Sequence, residues 1–295
     1  MIFRGTATAL ITPFHQGKPD LEAFARLVEY QIESGIEALV VLGTTGEAAT
    51  MTAEDKEAVA RKAFDVVAGC VPVILGCGDN STARTLAATR HAFELGADGA
   101  LVVTPYYNKP TQEGLKAHYQ ALDADGAGPI LAYHVPGRTG GSLTAETVAF
   151  LANHCPNLVG LKDATGDGFF ADQICAYTKA VRPDFALYSG NDDSAFHLVC
   201  GGGDGLISVM SNLAPELTGD MVRATLAGDL ARGRTLHHQL LGLSKSLFLE
   251  SNPGPVKWGA KLLGFGDGSL ALPLVPPCES VRHAVEADLC ELGLL

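Results

Sequence analysis

A chain of 295 residues with 47% hydrophobic and 18% charged residues can bury a large core, and its length suits one α/β barrel domain. A net charge of −12, from 33 acidic against 21 basic residues, leaves no basic stripe to neutralise phosphates and excludes nucleic-acid binding as the main function. No apolar run reaches the ~20 residues that span a bilayer, no signal-peptide pattern surrounds Arg4, Thr6, Thr8 and Pro13, and seven scattered cysteines without Cys-x-x-Cys read as reduced, buried thiols of a cytoplasmic protein.

The predicted elements alternate along the chain. Short β-rich apolar runs at Thr6–Thr12, Ala38–Leu42, Val71–Leu75, Gly99–Val103, Ile130–His134, Leu158–Lys162, Phe185–Ser189 and Gly205–Val209 read as eight strands. Between them, helical periodicity marks Leu21–Ser34, Ala53–Val67, Thr82–Leu95, Gln112–Leu122 and Ala145–Asn153, with Asp20, Thr52 and Ser81 as N-caps. Eight strand–helix units without a hairpin signal predict a parallel sheet closed into a (β/α)8 TIM barrel, with an open doubly wound sheet as the alternative. Three further helices, at Ala214–Ala227, Leu230–Leu249 and Pro255–Leu263, follow the last strand. The expected organisation is a catalytic barrel over residues 1–224 and a C-terminal helical region over 225–295.

Functional groups of such a barrel gather at the C-terminal ends of its strands. There the sequence places Gly43-Thr44-Thr45-Gly46-Glu47, Thr104-Pro105-Tyr106-Tyr107-Asn108, Tyr133-His134-Val135-Pro136-Gly137-Arg138-Thr139 and Lys162-Asp163-Ala164-Thr165. Lys162 ends an apolar run. An amine desolvated there loses its proton more readily and becomes a nucleophile toward a keto carbon; the alternative is a strand-end lysine that reaches solvent or pairs with Asp163. A phenol with hydrogen-bonded partners can move protons, and Thr44, Thr45 and Tyr107 are candidates for that role. Each also has a structural reading: Tyr106 and Tyr107 as packing residues, Gly43–Gly46 as a turn before the next helix. Gly201-Gly202-Gly203-Asp204-Gly205 resembles a phosphate cradle but precedes the eighth strand, so a helix-terminating turn is the better account. Nine histidines without ligand spacing disfavour a metal, the adjacent His237 and His238 falling on different helix faces, and no Gly-x-Gly-x-x-Gly follows the first strand, which argues against a nicotinamide; no cofactor is expected.

These strand-end motifs, with Ser189-Gly190-Asn191-Asp192 and Asn252-Pro253-Gly254-Pro255-Val256-Lys257, resemble the dihydrodipicolinate synthase family in order and nearly without gaps. The resemblance implies a lyase in which Lys162 forms an imine with pyruvate, whose enamine attacks L-aspartate 4-semialdehyde on the diaminopimelate route to lysine. It implies Tyr133 as acid/base, linked through Thr44 to Tyr107 of a neighbouring subunit, with Thr45, Gly190 and the Ile207 carbonyl at the substrate. It also implies a homo-oligomer, a tetramer built from tight dimers.

Arg138 would fork onto the semialdehyde's carboxylate, an arrangement that the N-acetylneuraminate lyases and 2-keto-3-deoxy sugar-acid aldolases generally lack; these and a catalytically silent binding barrel are the competing readings. Two departures stand out. His134 replaces the usual asparagine, which is expected to perturb packing behind Tyr133 and to leave its hydroxyl position intact. At the positions that match the family's lysine-inhibition site, Ala48, Ala49, Ala53, Lys56 and Arg84 replace the polar, histidine and glutamate residues of lysine-sensitive members while Asn80 and Tyr106 remain, so a cationic effector meets like charge and feedback inhibition is expected to be weak or absent.

Overall fold

A computed structural model describes all 295 residues. Eight parallel strands close into a barrel: β1 (Gly5–Ala9), β2 (Ala38–Val41), β3 (Val73–Gly76), β4 (Gly99–Val103), β5 (Ile130–His134), β6 (Leu158–Asp163), β7 (Ala186–Ser189) and β8 (Gly205–Ser208). Each strand pairs with its neighbour in sequence, and β1 pairs with β8 to close the ring. Closure is tight at that seam. Gly5 faces Gly205 in register, and a Cβ on Gly205 would lie 1.8 Å from the Gly5 carbonyl oxygen, so only glycine fits.

Side chains alternate across the strands as the pleat requires. Ala7, Ala9, Ala38, Val40, Ile74, Leu101, Leu131, Tyr133, Ala186, Tyr188 and Ile207 form one buried cluster inside the barrel. Their outward neighbours, among them Leu39, Val41, Val73, Leu75, Val102, Leu161, Leu187 and Leu206, join the helices in a second and larger one. At the N-terminal mouth Phe3 stacks on Tyr188 at 4.2 Å, and the Tyr188 hydroxyl donates to the Phe3 carbonyl at 2.5 Å. This plug fills the barrel floor, so polar groups collect at the opposite rim.

The outer helices are α1 (Leu21–Glu33), α2 (Ala53–Val67), α3 (Thr82–Glu94), α4 (Gln112–Asp125), α5 (Ala145–His154), α6 (Gly168–Ile174), α7 (Ala195–Cys200) and α8 (Pro215–Leu226). Asp20, Thr52 and Ser81 accept from the backbone N–H groups of Ala23, Asp55 and Arg84, each cap contributing about 1 kcal/mol. Then come α9 (Leu230–Ser246), α10 (Gly254–Leu262) and α11 (Glu279–Glu291). Leu240 and Leu243 on one face of α9 and Leu247 at its C-cap belong, with Val256, Ala260, Val285 and Leu289, to the same core as the barrel helices.

The strand and helix expectations hold, with local corrections. The first strand ends at Ala9 rather than Thr12, because the chain turns into a two-stranded hairpin, Phe14–His15 against Lys18–Pro19, that the alternation did not signal. α6, α7 and α11 were not anticipated. The Gly201–Gly205 run is the expected helix-terminating turn, with Gly201 capping α7. The thiols were expected to be buried; Cys77 and Cys155 are, and burial pushes them up to about 12 and about 11, but Cys70, Cys200, Cys278 and Cys290 are exposed. No helix is long and apolar enough to cross a membrane.

Candidate active site

β5 and β6 set the centre of the site by register. Tyr133 and Lys162 are Cα partners, and Lys162 is also the partner of Tyr188 on β7. The side chain of Lys162 therefore points into the barrel, where the residue is only 5% exposed, and its Nζ lies 4.3 Å from the centre of the Tyr133 ring. The solvent-facing alternative does not hold. Nor does Lys162 pair with Asp163, whose carboxylate accepts from the Thr165 N–H at 3.3 Å and hydroxyl at 2.8 Å.

Loss of hydration brings the Lys162 amine down to about 8; the Asp192 carboxylate opposes the fall and the Arg138 guanidinium adds to it. Asp192 is buried after β7, where the Ser208 hydroxyl donates to it at 2.5 Å and the backbone N–H groups of Val209 and Met210 each donate at 3.1 Å. Burial raises its carboxyl above the usual carboxylate range against the pull of these donors and of Lys162. The phenol of Tyr133 is likewise raised by burial, with the charge of Arg138 and a hydrogen bond to Thr44 opposing.

These groups surround a cavity of about 70 Å³ lined by Thr44, Thr45, Tyr133, Arg138, Lys162 and Gly190, with Asn191, Val209, Phe248 and Asn252 completing the wall. Gly190 is required sterically: a Cβ there would sit 2.7 Å from the Ala164 Cβ and 3.1 Å from Lys162 Cε. A groove of about 840 Å³, between the β6 and β7 loops and α9, shares Asn191 and Phe248 with this cavity and so adjoins it.

Of the sequence candidates, Lys162, Tyr133, Thr44, Thr45, Arg138 and Gly190 converge on one cavity. Ile207 is buried on the inner face of β8, deeper than the cavity wall, which on that side is Val209. Tyr107 does not join the others within this chain. It is 88% exposed, and it holds φ +72°, a left-handed conformation uncommon for a non-glycine residue.

His134 turns outward from the barrel against Phe170. Its Nε2 accepts from the Leu143 N–H at 3.1 Å, and its Nδ1 lies 3.4 Å from Asp163 Oδ1. The departure at this position thus lies behind Tyr133, outside the cavity.

The positions matched to lysine inhibition form a separate cluster. Arg84 donates to Asp79 at 2.9 Å and Asn80 at 2.8 Å, Asn108 donates to the Asn80 carbonyl, Lys56 shares the field of Asp79, and Tyr106 that of Arg84. Ala48 and Ala49 lie nearby in sequence on a helical turn, Ala48–Thr50.

Sequence reasoning did not single out Asn252, Asp192 or Glu47 as site groups. Asn252 donates to the Thr45 hydroxyl at 3.0 Å and accepts from Arg138 at 3.2 Å, while Glu47 and Lys257 form a fully buried ion pair at 2.5 Å. The signal was present in the Asn252–Lys257 motif, whose polar ends flank an apolar helix start.

A closed (β/α)8 barrel whose C-terminal rim gathers a desolvated lysine, a phenol and a guanidinium around one small cavity has the architecture of a class I aldolase-type enzyme. The match can be made narrower. The model of the Dihydrodipicolinate synthetase family matches residues 2–292, and the chain belongs to that family. It is 49% identical over 294 residues to the 4-hydroxy-tetrahydrodipicolinate synthase of Kosmotoga olearia, covering 100% of both chains. Its fold is similar to the crystal structure of dihydrodipicolinate synthase from Thermotoga maritima, with a TM-score of 0.99, 46% identity and 100% coverage of each. It is also similar to the chloride-inhibited dihydrodipicolinate synthase from Acinetobacter baumannii complexed with pyruvate, with a TM-score of 0.96, 40% identity and 100% coverage of each.

Proposed function

We propose that this enzyme condenses pyruvate with L-aspartate 4-semialdehyde to 4-hydroxy-tetrahydrodipicolinate, on the diaminopimelate route to lysine. The observation that carries the reading is the buried amine of Lys162, in register with Tyr133 and facing a cavity that Arg138 also lines. The small cavity suits a three-carbon keto acid.

In this reading the neutral amine of Lys162 attacks the keto carbon of pyruvate and water leaves, giving an imine. Loss of a methyl proton then gives the enamine. Its carbon attacks the aldehyde, Tyr133 supplies the proton to the new alkoxide, and the substrate's own amine displaces Lys162 as the ring closes. Arg138 holds the second substrate by its carboxylate, and Thr45 with the Ile207 carbonyl holds pyruvate. Thr44 lies at the exposed mouth and passes protons between Tyr133 and the Tyr107 of a neighbouring subunit. That last step accounts for an exposed aromatic held in a strained conformation. It makes a dimer the active unit, with a tetramer as the expected assembly in the cytoplasm.

Lysine is at most a weak inhibitor, since Lys56 and Arg84 bring two cations to a site whose one nearby carboxylate, Asp79, is already engaged. The test of the reading is acceptor selectivity. With pyruvate present, L-aspartate 4-semialdehyde should support turnover where N-acetylmannosamine and glyceraldehyde do not, and R138M should abolish the preference. Turnover with the sugars alone would sink it.

A further inference from the structure

The buried pair of Glu47 and Lys257 touches no part of the reaction cavity, yet both side chains are almost without solvent access, 1% and 2% exposed. Burying an ion pair carries a desolvation cost that only close geometry and further hydrogen bonds offset. Four segments meet here. Glu47 Oε1 accepts from Lys257 Nζ at 2.5 Å and Oε2 from the Ala271 N–H at 2.9 Å; Lys257 Nζ also lies 3.9 Å over the ring of Phe14. Both carboxylate oxygens are thus used, and the residue itself holds φ +55°, a left-handed conformation that local preference alone would not choose.

What lies on either side of the pair is the site. Two residues before Glu47 is Thr45, and five before Lys257 is Asn252. These two are themselves joined, Asn252 Nδ2 donating to Thr45 Oγ1, while the Asn252 carbonyl takes a hydrogen bond from Arg138. The β2 loop and the start of α10 are therefore stitched at two successive points. One stitch is at the cavity wall and the other is behind it.

We propose that Glu47 and Lys257 form a positioning clamp for the condensation, holding the Thr44-Thr45 loop and the Asn252–Arg138 contact in register so that the enamine and the aldehyde meet. The inference rests on the reading of the reaction given above. The amine of Lys162 stands on β6 and is held by its own register rather than by the clamp, so a loosened Thr45 raises the pyruvate concentration needed, while at saturating pyruvate the imine still forms and the condensation is the step that suffers.

The experiment compares E47Q, K257M and E47Q/K257M with the native oligomer, using pyruvate and L-aspartate 4-semialdehyde. Three quantities are read: the melting temperature, the amount of pyruvate trapped on Lys162 by borohydride, and kcat with both substrates saturating. Misplacement by about 1 Å costs on the order of 10²-fold in rate, and a loss of that order in kcat is expected with trapping at saturating pyruvate undiminished. The single variants leave one charge buried and unpartnered and melt lower; the double variant removes both charges and restores folding without restoring kcat. Wild-type kcat in a folded double variant overturns the clamp. Absence of trapped pyruvate in the native protein would instead overturn the reading of the reaction.

Discussion

Lys162 offers a prediction that can be followed from burial to rate. With the amine at about 8, about one molecule in ten carries it neutral at pH 7, against about one in three thousand for an ordinary lysine. That is roughly a 300-fold gain in nucleophile. Competitive trace acylation over pH 6–10, read by mass spectrometry of the peptide holding residue 162, should give a midpoint near 8. In D192N the opposing carboxylate charge is gone, so the midpoint should move lower still. A linked effect on stability has a definite sign. Because the folded amine lies below its unfolded value of 10.5, the unfolded chain binds more protons between about 8 and 10.5, and this group's contribution to stability rises with pH across that window. The full excursion is roughly 3 kcal/mol. A midpoint near 10.5, unmoved in D192N, would refute the argument that burial activates the amine.

Other expected outcomes concern neighbouring residues. G190A should fold with a stability loss of about 1–3 kcal/mol from overpacking, and lose more activity than stability, because the new methyl group presses on Lys162 Cε; unchanged kcat would contradict the packing. Y107F should lower kcat by about 10²-fold, and dilution that dissociates the oligomer should lower the specific rate of the native enzyme; a fully active monomer would remove Tyr107 from the proton path. Free L-lysine should leave the rate unaffected at millimolar concentration, and half-maximal inhibition at sub-millimolar lysine would contradict the account of Lys56 and Arg84 as like charges facing the effector.

Much of this was legible in the chain, for identifiable reasons. Parallel strands buried on both faces leave continuous apolar runs such as Ala38–Leu42 and Ile130–His134, and their helices begin at side-chain caps, so the alternation could be counted. A lysine closing such a run, at Lys162, was conspicuous because nothing else in the run is polar. α11 was readable in principle, since Val281, Val285 and Leu289 repeat every four residues, but the Gly- and Pro-rich stretch before it hid its start. α6 begins amid Gly166, Asp167 and Gly168, which read as loop. The hairpin at Phe14–Pro19 is too short for a period-two pattern. Long-range contacts were the least legible part. That Asn252 meets Thr45, and Lys257 meets Glu47, depends on how α10 packs across the rim, which no local pattern encodes. In the proposed reading the place of Tyr107, exposed within this chain, depends on a second copy.

The central claim is that the Lys162 amine bonds covalently to the keto carbon of pyruvate. Borohydride reduction of the native protein with pyruvate, followed by digestion and peptide mass mapping, addresses it directly. One stable three-carbon adduct is expected on the peptide that contains residue 162, absent without pyruvate and absent in K162A. An unmodified Lys162, or an adduct on another lysine with turnover intact, would contradict the account.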